Sequence, residues 1–182
     1  MALNYKRLKV PDLIVIEPKI WPDERGFFLE KYKESDFKAI GIPSFIQDNY
    51  SVSRRGVIRG LHYQISPHEQ GKLVTVVGGS VWDVAVDVRR SSKTFGEWVG
   101  VELSEGNNLM FYVPPGFAHG FSVLSEEARF LYKCTNEYSS ESERGIRFDD
   151  ADLAIDWKVT EDGIVSDRDR TLPTFKDVEL FM

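Results

Sequence analysis

Short runs of alternating apolar residues, broken by glycine, proline and aspartate at intervals of about 8–12 residues, constrain this chain more than any other feature. Residues 13–16 form the first run, closed by Glu17-Pro18. A turn over 21–26 precedes a second strand at 27–31. Gly78-Gly79 makes a tight turn between strands at 72–77 and 80–88, and further strands follow at 97–103, 109–113, 120–124 and 129–135. Helical periodicity is confined to 35–40, with Ser35 as N-cap and Gly41 as stop, to 151–156, and to a start near Ser166. Strands and helices do not alternate, so no doubly wound sheet is expected. The pattern predicts an all-β fold, a double-sheet jelly roll or a related barrel. There is no internal repeat or linker, so residues 1–182 read as one domain, with the last thirty or so wrapping its outside or capping an opening.

The stretch Arg54-Arg55-Gly56-Val57-Ile58-Arg59-Gly60-Leu61-His62-Tyr63-Gln64 reads as one strand, yet it carries three arginines and a histidine. Arginine supplies forked donors to an anion such as phosphate, and histidine takes a proton near neutral pH. In an ideal strand Arg59 and His62 face opposite sides. They serve one site only if the strand bends or bulges, and Gly60 lies between them. The alternative has His62 lining the interior and the arginines in solvent.

Other residues have two readings each. Lys72 shares parity with Val74 and Val76, so it either needs an anionic partner or sits in solvent at the strand's start. Tyr132 is a core tyrosine or a proton donor. His119 is a core histidine or a ligand contact. Asp169, three residues after Ser166, completes a helix cap or orients a histidine. Along 80–88, Trp82, Val84, Val86 and Val88 share one face and Asp83, Ala85 and Asp87 the other, both partly enclosed. The three histidines lack a His-x-His pair, so no metal site is expected. No P-loop, Gly-x-Gly-x-x-Gly or Gly-x-Ser-x-Gly motif is present, which removes support for nucleotide hydrolysis, dinucleotide redox chemistry and serine hydrolysis.

A net charge of -6 argues against nucleic-acid binding and requires any anionic substrate to be caught by a local basic cluster. A single cysteine, Cys134, excludes an internal disulfide and reads as a buried, inert thiol. The start, Met1 to Arg7, does not read as a signal peptide, and no run is long and apolar enough to span a bilayer. A cytoplasmic location is expected.

Eight motifs then fall in one order: Gln47-Asp48-Asn49, Arg59-Gly60-Leu61-His62-Tyr63-Gln64, Gly71-Lys72-Leu73-Val74, Trp82-Asp83-Val84-Ala85-Val86-Asp87, Pro114-Pro115-Gly116-Phe117-Ala118-His119-Gly120-Phe121, Leu131-Tyr132-Lys133-Cys134, Glu143-Arg144-Gly145-Ile146 and Ser166-Asp167-Arg168-Asp169. Together they resemble the dTDP-4-dehydrorhamnose 3,5-epimerase family. The resemblance implies a cupin-like jelly roll needing no metal or cofactor, and a homodimer whose N-terminal strands cross to the partner. It implies the substrate dTDP-4-keto-6-deoxy-D-glucose, on the route to dTDP-L-rhamnose. It assigns His62 as base, Asp169 as its paired carboxylate, Tyr132 as the acid on the opposite side and Lys72 as the cation near the developing oxyanion. Arg59 and His119 would contact sugar or diphosphate, and Gln47, Asp48 and Asn49 the nucleotide. Arg25 and Glu30 would reach into the neighbouring subunit's site, with Glu143 and Arg168 as further contacts. Arg168 departs from the lysine frequent in the family. Rival readings are an epimerase acting on one carbon only, a non-catalytic sugar-nucleotide binding module and, more distantly, a metal-dependent cupin oxygenase.

Overall fold

In the computed structural model, which describes residues 3–159 and 163–181, thirteen strands and two short helices are resolved among the described residues. In chain order they are β1 (Asn4–Arg7), β2 (Ile14–Glu17), β3 (Ile20–Asp23), β4 (Gly26–Leu29), α1 (Glu34–Ala39), β5 (Gln47–Arg54), β6 (Ile58–Gln64), β7 (Lys72–Gly78), β8 (Ser80–Asp87), β9 (Trp98–Ser104), β10 (Met110–Val113), β11 (Phe117–Val123), β12 (Glu127–Cys134), β13 (Glu143–Gly145) and α2 (Asp167–Arg170). Two antiparallel sheets form the jelly roll. One runs β1-β2-β10-β7-β12-β5, the other β13-β6-β11-β8-β9. β3 and β4 form a separate hairpin. The ends of the expected domain, including Met1 and Ala2 of the reading against a signal peptide, lie outside the described residues.

Alternation along the strands decides which side chains go where. Val74, Val76, Phe111, Val113 and Phe130 of the first sheet meet Ala85, Phe117, Phe121 and Val123 of the second in a dry core. Each fully buried side chain of this size contributes about 1.5–3 kcal/mol. The opposite face of β8 is enclosed as well. Val84, Val86 and Val88 pack under Leu153, Trp157, Val165, Val178 and Leu180, so the C-terminal segment wraps the outside of the five-stranded sheet as expected. Phe37 of α1 and Ile42 cover Ile14, Ile16, Leu73 and Met110 on the outside of the other sheet.

Four local expectations need correction. The stretch 54–64 is two strands: β5 ends at Arg54 in the six-stranded sheet and β6 starts at Ile58 in the five-stranded one. The turn at Arg55-Gly56 is where the chain changes sheet. The turn assigned to 21–26 narrows to Glu24-Arg25, because Trp21 and Phe28 pair across the hairpin with ring centroids 5.8 Å apart. Helix α1 begins at Glu34, so Ser35 lies inside its first turn and Lys33 is the N-cap residue, with no side-chain cap. Gly41 follows its end at φ +87°, as the stop signal predicts. Residues 151–156 are turns and not helix. The buried Asp150 carboxylate accepts from the N–H groups of Asp152, Leu153 and Phe175, and that side chain offers the backbone a partner the helix would otherwise supply.

Candidate active site

At one end of the jelly roll the space between the sheets opens into two adjoining cavities of about 370 and 270 Å³. Asn49, His62, Lys72 and Tyr132 line both, so the two form one cleft. His62 comes from the five-stranded sheet and Tyr132 from the six-stranded one, so imidazole and phenol enter from facing walls. Phe121 and Phe130, stacked with centroids 4.2 Å apart, separate the cleft from the dry core.

The parity conflict in β6 is resolved by an irregularity. His62 pairs with His119 and Arg59 with Phe121, so three steps on β6 match two on β11. The extra residue turns Arg59 onto the cleft side with His62. Gly60 takes φ +124°, and a Cβ there would meet Gly120 Cα at 2.6 Å and the His119 carbonyl at 2.8 Å, so only glycine fits this crossing. Arg59 Nε donates to Ser53 Oγ at 3.0 Å, which steers the guanidinium from β5.

His62 Nε2 lies 2.8 Å from Asp169 Oδ1, and the other oxygen of Asp169 accepts the Gly60 N–H at 3.2 Å. Asp169 reaches this point because Ser166 caps α2, its Oγ accepting from the Asp169 N–H at 3.1 Å. The Ser166 hydroxyl thus caps the helix, while the Asp169 carboxylate takes no part in the cap and turns to His62 and Gly60. Burial works against ionisation of Asp169. The His62 hydrogen bond and charge, the Gly60 N–H and Arg168 outweigh it, and the carboxyl lies below its ordinary range. Burial, with Cys134 and Glu143, pushes the Tyr132 phenol above its ordinary value, against the pull of Arg59, so the phenol holds its proton at neutral pH. Lys72 points inward with Val74. Its Nζ donates to the His62 carbonyl at 3.3 Å, and burial lowers its pKa while Cys134, Asp83 and Glu143 raise it.

The remaining expected residues divide into three groups. His119, Asn49, Arg59 and Arg168 line the first cavity, and Gln47 and Glu143 the second. At the mouth Glu143 accepts hydrogen bonds from the Arg168 guanidinium and, at 2.7 Å, from Tyr138 Oη. Asp48 does not line the cleft, because alternation turns it outward to an ion pair with Lys133 at 2.9 Å. Arg25 and Glu30 are also elsewhere within a single chain. Arg25 is 84% exposed on the β3–β4 hairpin and paired with Asp23, and Glu30 lines a separate groove with Trp21 and Lys33. Two residues escaped the reading of the sequence. Tyr138 exposes its ring at the mouth, and Asp83 is buried behind His119. Tyr138 sits in a loop with no periodicity to flag it. Asp83 carried a signal, an acid on the inner face of a valine-rich strand. Among the described residues no group of three or more His, Cys, Asp or Glu is placed to hold a metal ion.

A family model described as dTDP-4-dehydrorhamnose 3,5-epimerase matches residues 7–177. A dTDP-4-dehydrorhamnose 3,5-epimerase of Shigella flexneri is 49% identical, with 99% of this chain and 100% of that protein covered. The crystal structure of a dTDP-4-dehydrorhamnose 3,5-epimerase from Elizabethkingia anophelis superposes with a TM-score of 0.94 at 52% identity, covering 97% of this chain and 98% of that one. A dTDP-6-deoxy-D-glucose-3,5-epimerase from Legionella pneumophila, solved in complex with dTDP-4-keto-L-rhamnose, superposes with a TM-score of 0.93 at 49% identity, covering 97% and 95%.

Proposed function

The chain belongs to the dTDP-4-dehydrorhamnose 3,5-epimerase family, and on that premise we propose how its cleft inverts two carbons of one sugar. The protein is an isomerase that converts dTDP-4-keto-6-deoxy-D-glucose to dTDP-4-keto-L-rhamnose, a step toward dTDP-L-rhamnose. The ketone at carbon four acidifies the hydrogens on carbons three and five. In the proposed cycle His62 takes such a proton, and the electron pair left on carbon moves into the carbonyl as an enolate. Asp169 holds the imidazole in place and stabilises the imidazolium that results. Lys72 stands near the developing oxyanion, where a fixed cation in a partly dry site is most effective. At carbon five the electron pair returns to carbon and takes the Tyr132 proton on the opposite face, inverting it; at carbon three the proton on the opposite face comes from solvent, and solvent carries the proton of His62 back to the Tyr132 phenolate.

One observation carries this reading: the hydrogen-bonded His62–Asp169 pair and the protonated Tyr132 line one cleft from facing sheets. A module that only bound sugar nucleotides would have no use for a base and an acid set against each other. Arg59 and Arg168 offer the local positive character that a diphosphate needs on a chain of net charge -6, and His119 beside them suits a sugar contact. Gln47, Asn49 and the exposed ring of Tyr138 suit the nucleotide at the mouth.

The proposal extends to assembly and location. Ile20, Phe27 and Phe28 of the hairpin are exposed, Phe28 by 66%, and this apolar surface supports a homodimer in which the hairpin carries Arg25 and Glu30 toward the partner's cleft. Among the described residues no helix is long and apolar enough to cross a membrane. The buried free thiol of Cys134 supports a reducing, cytoplasmic setting.

The test is solvent exchange. EDTA-treated protein in deuterated buffer is expected to place deuterium on both carbons flanking the ketone, and His62→Ala to abolish this. Exchange retained in His62→Ala rejects His62 as the base, and label on one carbon only assigns the protein to single-carbon inversion.

A further inference from the structure

We propose, resting on the epimerase reading above, that Asp83 is a positioning residue: its buried carboxylate locks the His119 ring at the cleft wall and supplies the counter-charge for the Lys72 ammonium, which presents its donor to the oxygen that turns negative during the reaction.

Asp83 is fully buried on the inner face of β8, directly across from Phe121 and two residues from Ala85. Packing alone favours an apolar residue there, since a buried carboxylate is costly unless it is paired. The other inner acid of the strand, Asp87, is fully occupied with structure, accepting from Arg89, Ser92 and Thr94. Asp83 is used differently. Both its oxygens lie within reach of one atom, His119 Nε2, at 2.8 and 3.0 Å. An ionised carboxylate only accepts, so Nε2 carries the hydrogen and the ring is locked in orientation at the cleft wall.

Its second task concerns Lys72. The groups around that ammonium come from five strands: Asp83 of β8, His119 of β11, the His62 carbonyl of β6, Tyr132 and Cys134 of β12, and Glu143 of β13. The Cys134 thiol and the Tyr132 phenol are kept protonated by burial. Glu143 is engaged by Tyr138 and Arg168 at the mouth. Asp83 is the fully buried carboxylate of this set. Burial lifts its pKa above the ordinary value, and the charge and hydrogen bond of His119 and the charge of Lys72 pull it back only in part.

The test uses the full-length protein. Wild type is assayed first, and absence of exchange there sinks the epimerase reading and not this one. Asp83→Asn keeps the shape and removes the charge. It is expected to lower kcat about 10–100-fold, leave dTDP affinity within about threefold, and move the alkaline limb of the kcat profile to lower pH as Lys72 loses its proton more readily. A merely structural role would lower Tm and leave that limb in place. Unchanged kcat with an unmoved limb in an active background overturns the proposal. Should Asp83→Asn not fold, nitrogen-15 NMR of wild-type histidines decides, with the His119 signals assigned by their loss in His119→Gln. A protonated Nε2 is expected, and a bare Nε2 overturns the assignment.

Discussion

Arg59 and His62 stand three residues apart on β6, yet the residues opposite them on β11, Phe121 and His119, stand two apart. That one-residue mismatch turns a guanidinium and an imidazole into the same cleft, where the proposed mechanism has them hold an anion and abstract a proton. Gly60 makes it possible.

Gly60→Ala is therefore expected to damage both fold and site. The added Cβ meets backbone on both counts, Gly120 Cα and the His119 carbonyl, and neither can swing aside as a side-chain tip would. Urea unfolding should show a loss of about 1–3 kcal/mol, accompanied by a fall in kcat. Wild-type stability with wild-type kcat would show that the crossing has slack the geometry does not reveal.

Tyr132→Phe separates proton removal from proton return. The base and its carboxylate are untouched, so loss of hydrogen to solvent should persist while net inversion at carbon five falls by about 10²–10⁴. Product stereochemistry by NMR, compared with deuterium content by mass spectrometry, reads the two apart. Full inversion in the variant would remove the phenol from its role.

The His62–Asp169 pair makes stability depend on pH with a definite sign. The folded carboxyl titrates below its ordinary value of 3.8, so the unfolded chain holds that proton more tightly. The pair's contribution is thus fully present above about pH 5 and is lost as pH falls through the folded value. The gap in Tm between wild type and Asp169→Asn should be at full width above about pH 5 and narrow as pH falls below 3.8 toward the folded value. A gap that stays constant across that range would mean the charge of Asp169 contributes nothing to stability.

Subunit sharing of the site is open to complementation. Arg25→Ala and His62→Ala should each be impaired as pure proteins. Unfolded together and refolded as a mixture, they should recover roughly a quarter of wild-type activity, since half the dimers are hybrids with one intact site of two. No recovery would mean that Arg25 acts within its own chain or not at all.

The strands, the two enclosed faces of β8 and the outer wrapping of the C-terminal segment were legible because apolar periodicity reports burial directly. The change of sheet at Arg55-Gly56 was not, since a strand that ends and one that continues through a turn carry similar alternation. The expected helix at 151–156 failed because one buried side chain, Asp150, outcompetes helical hydrogen bonding. At the site, His62, Asp169, Tyr132 and Lys72 could be chosen only through a resemblance, because their partners lie far away in sequence: His62 and Asp169 are 107 residues apart. Asp83 needed coordinates, since nothing in the sequence says which histidine a buried acid will meet.

The wrapping segment has a consequence beyond shielding the sheet. Asp169 and Arg168 are delivered to the cleft by the same stretch that seals the barrel's outer wall, so His62, the proposed base, gains its carboxylate partner only when that seal has docked. Chemistry is thereby made conditional on tertiary completion. A molecule with a loosened tail would keep its jelly roll and fall silent as a catalyst.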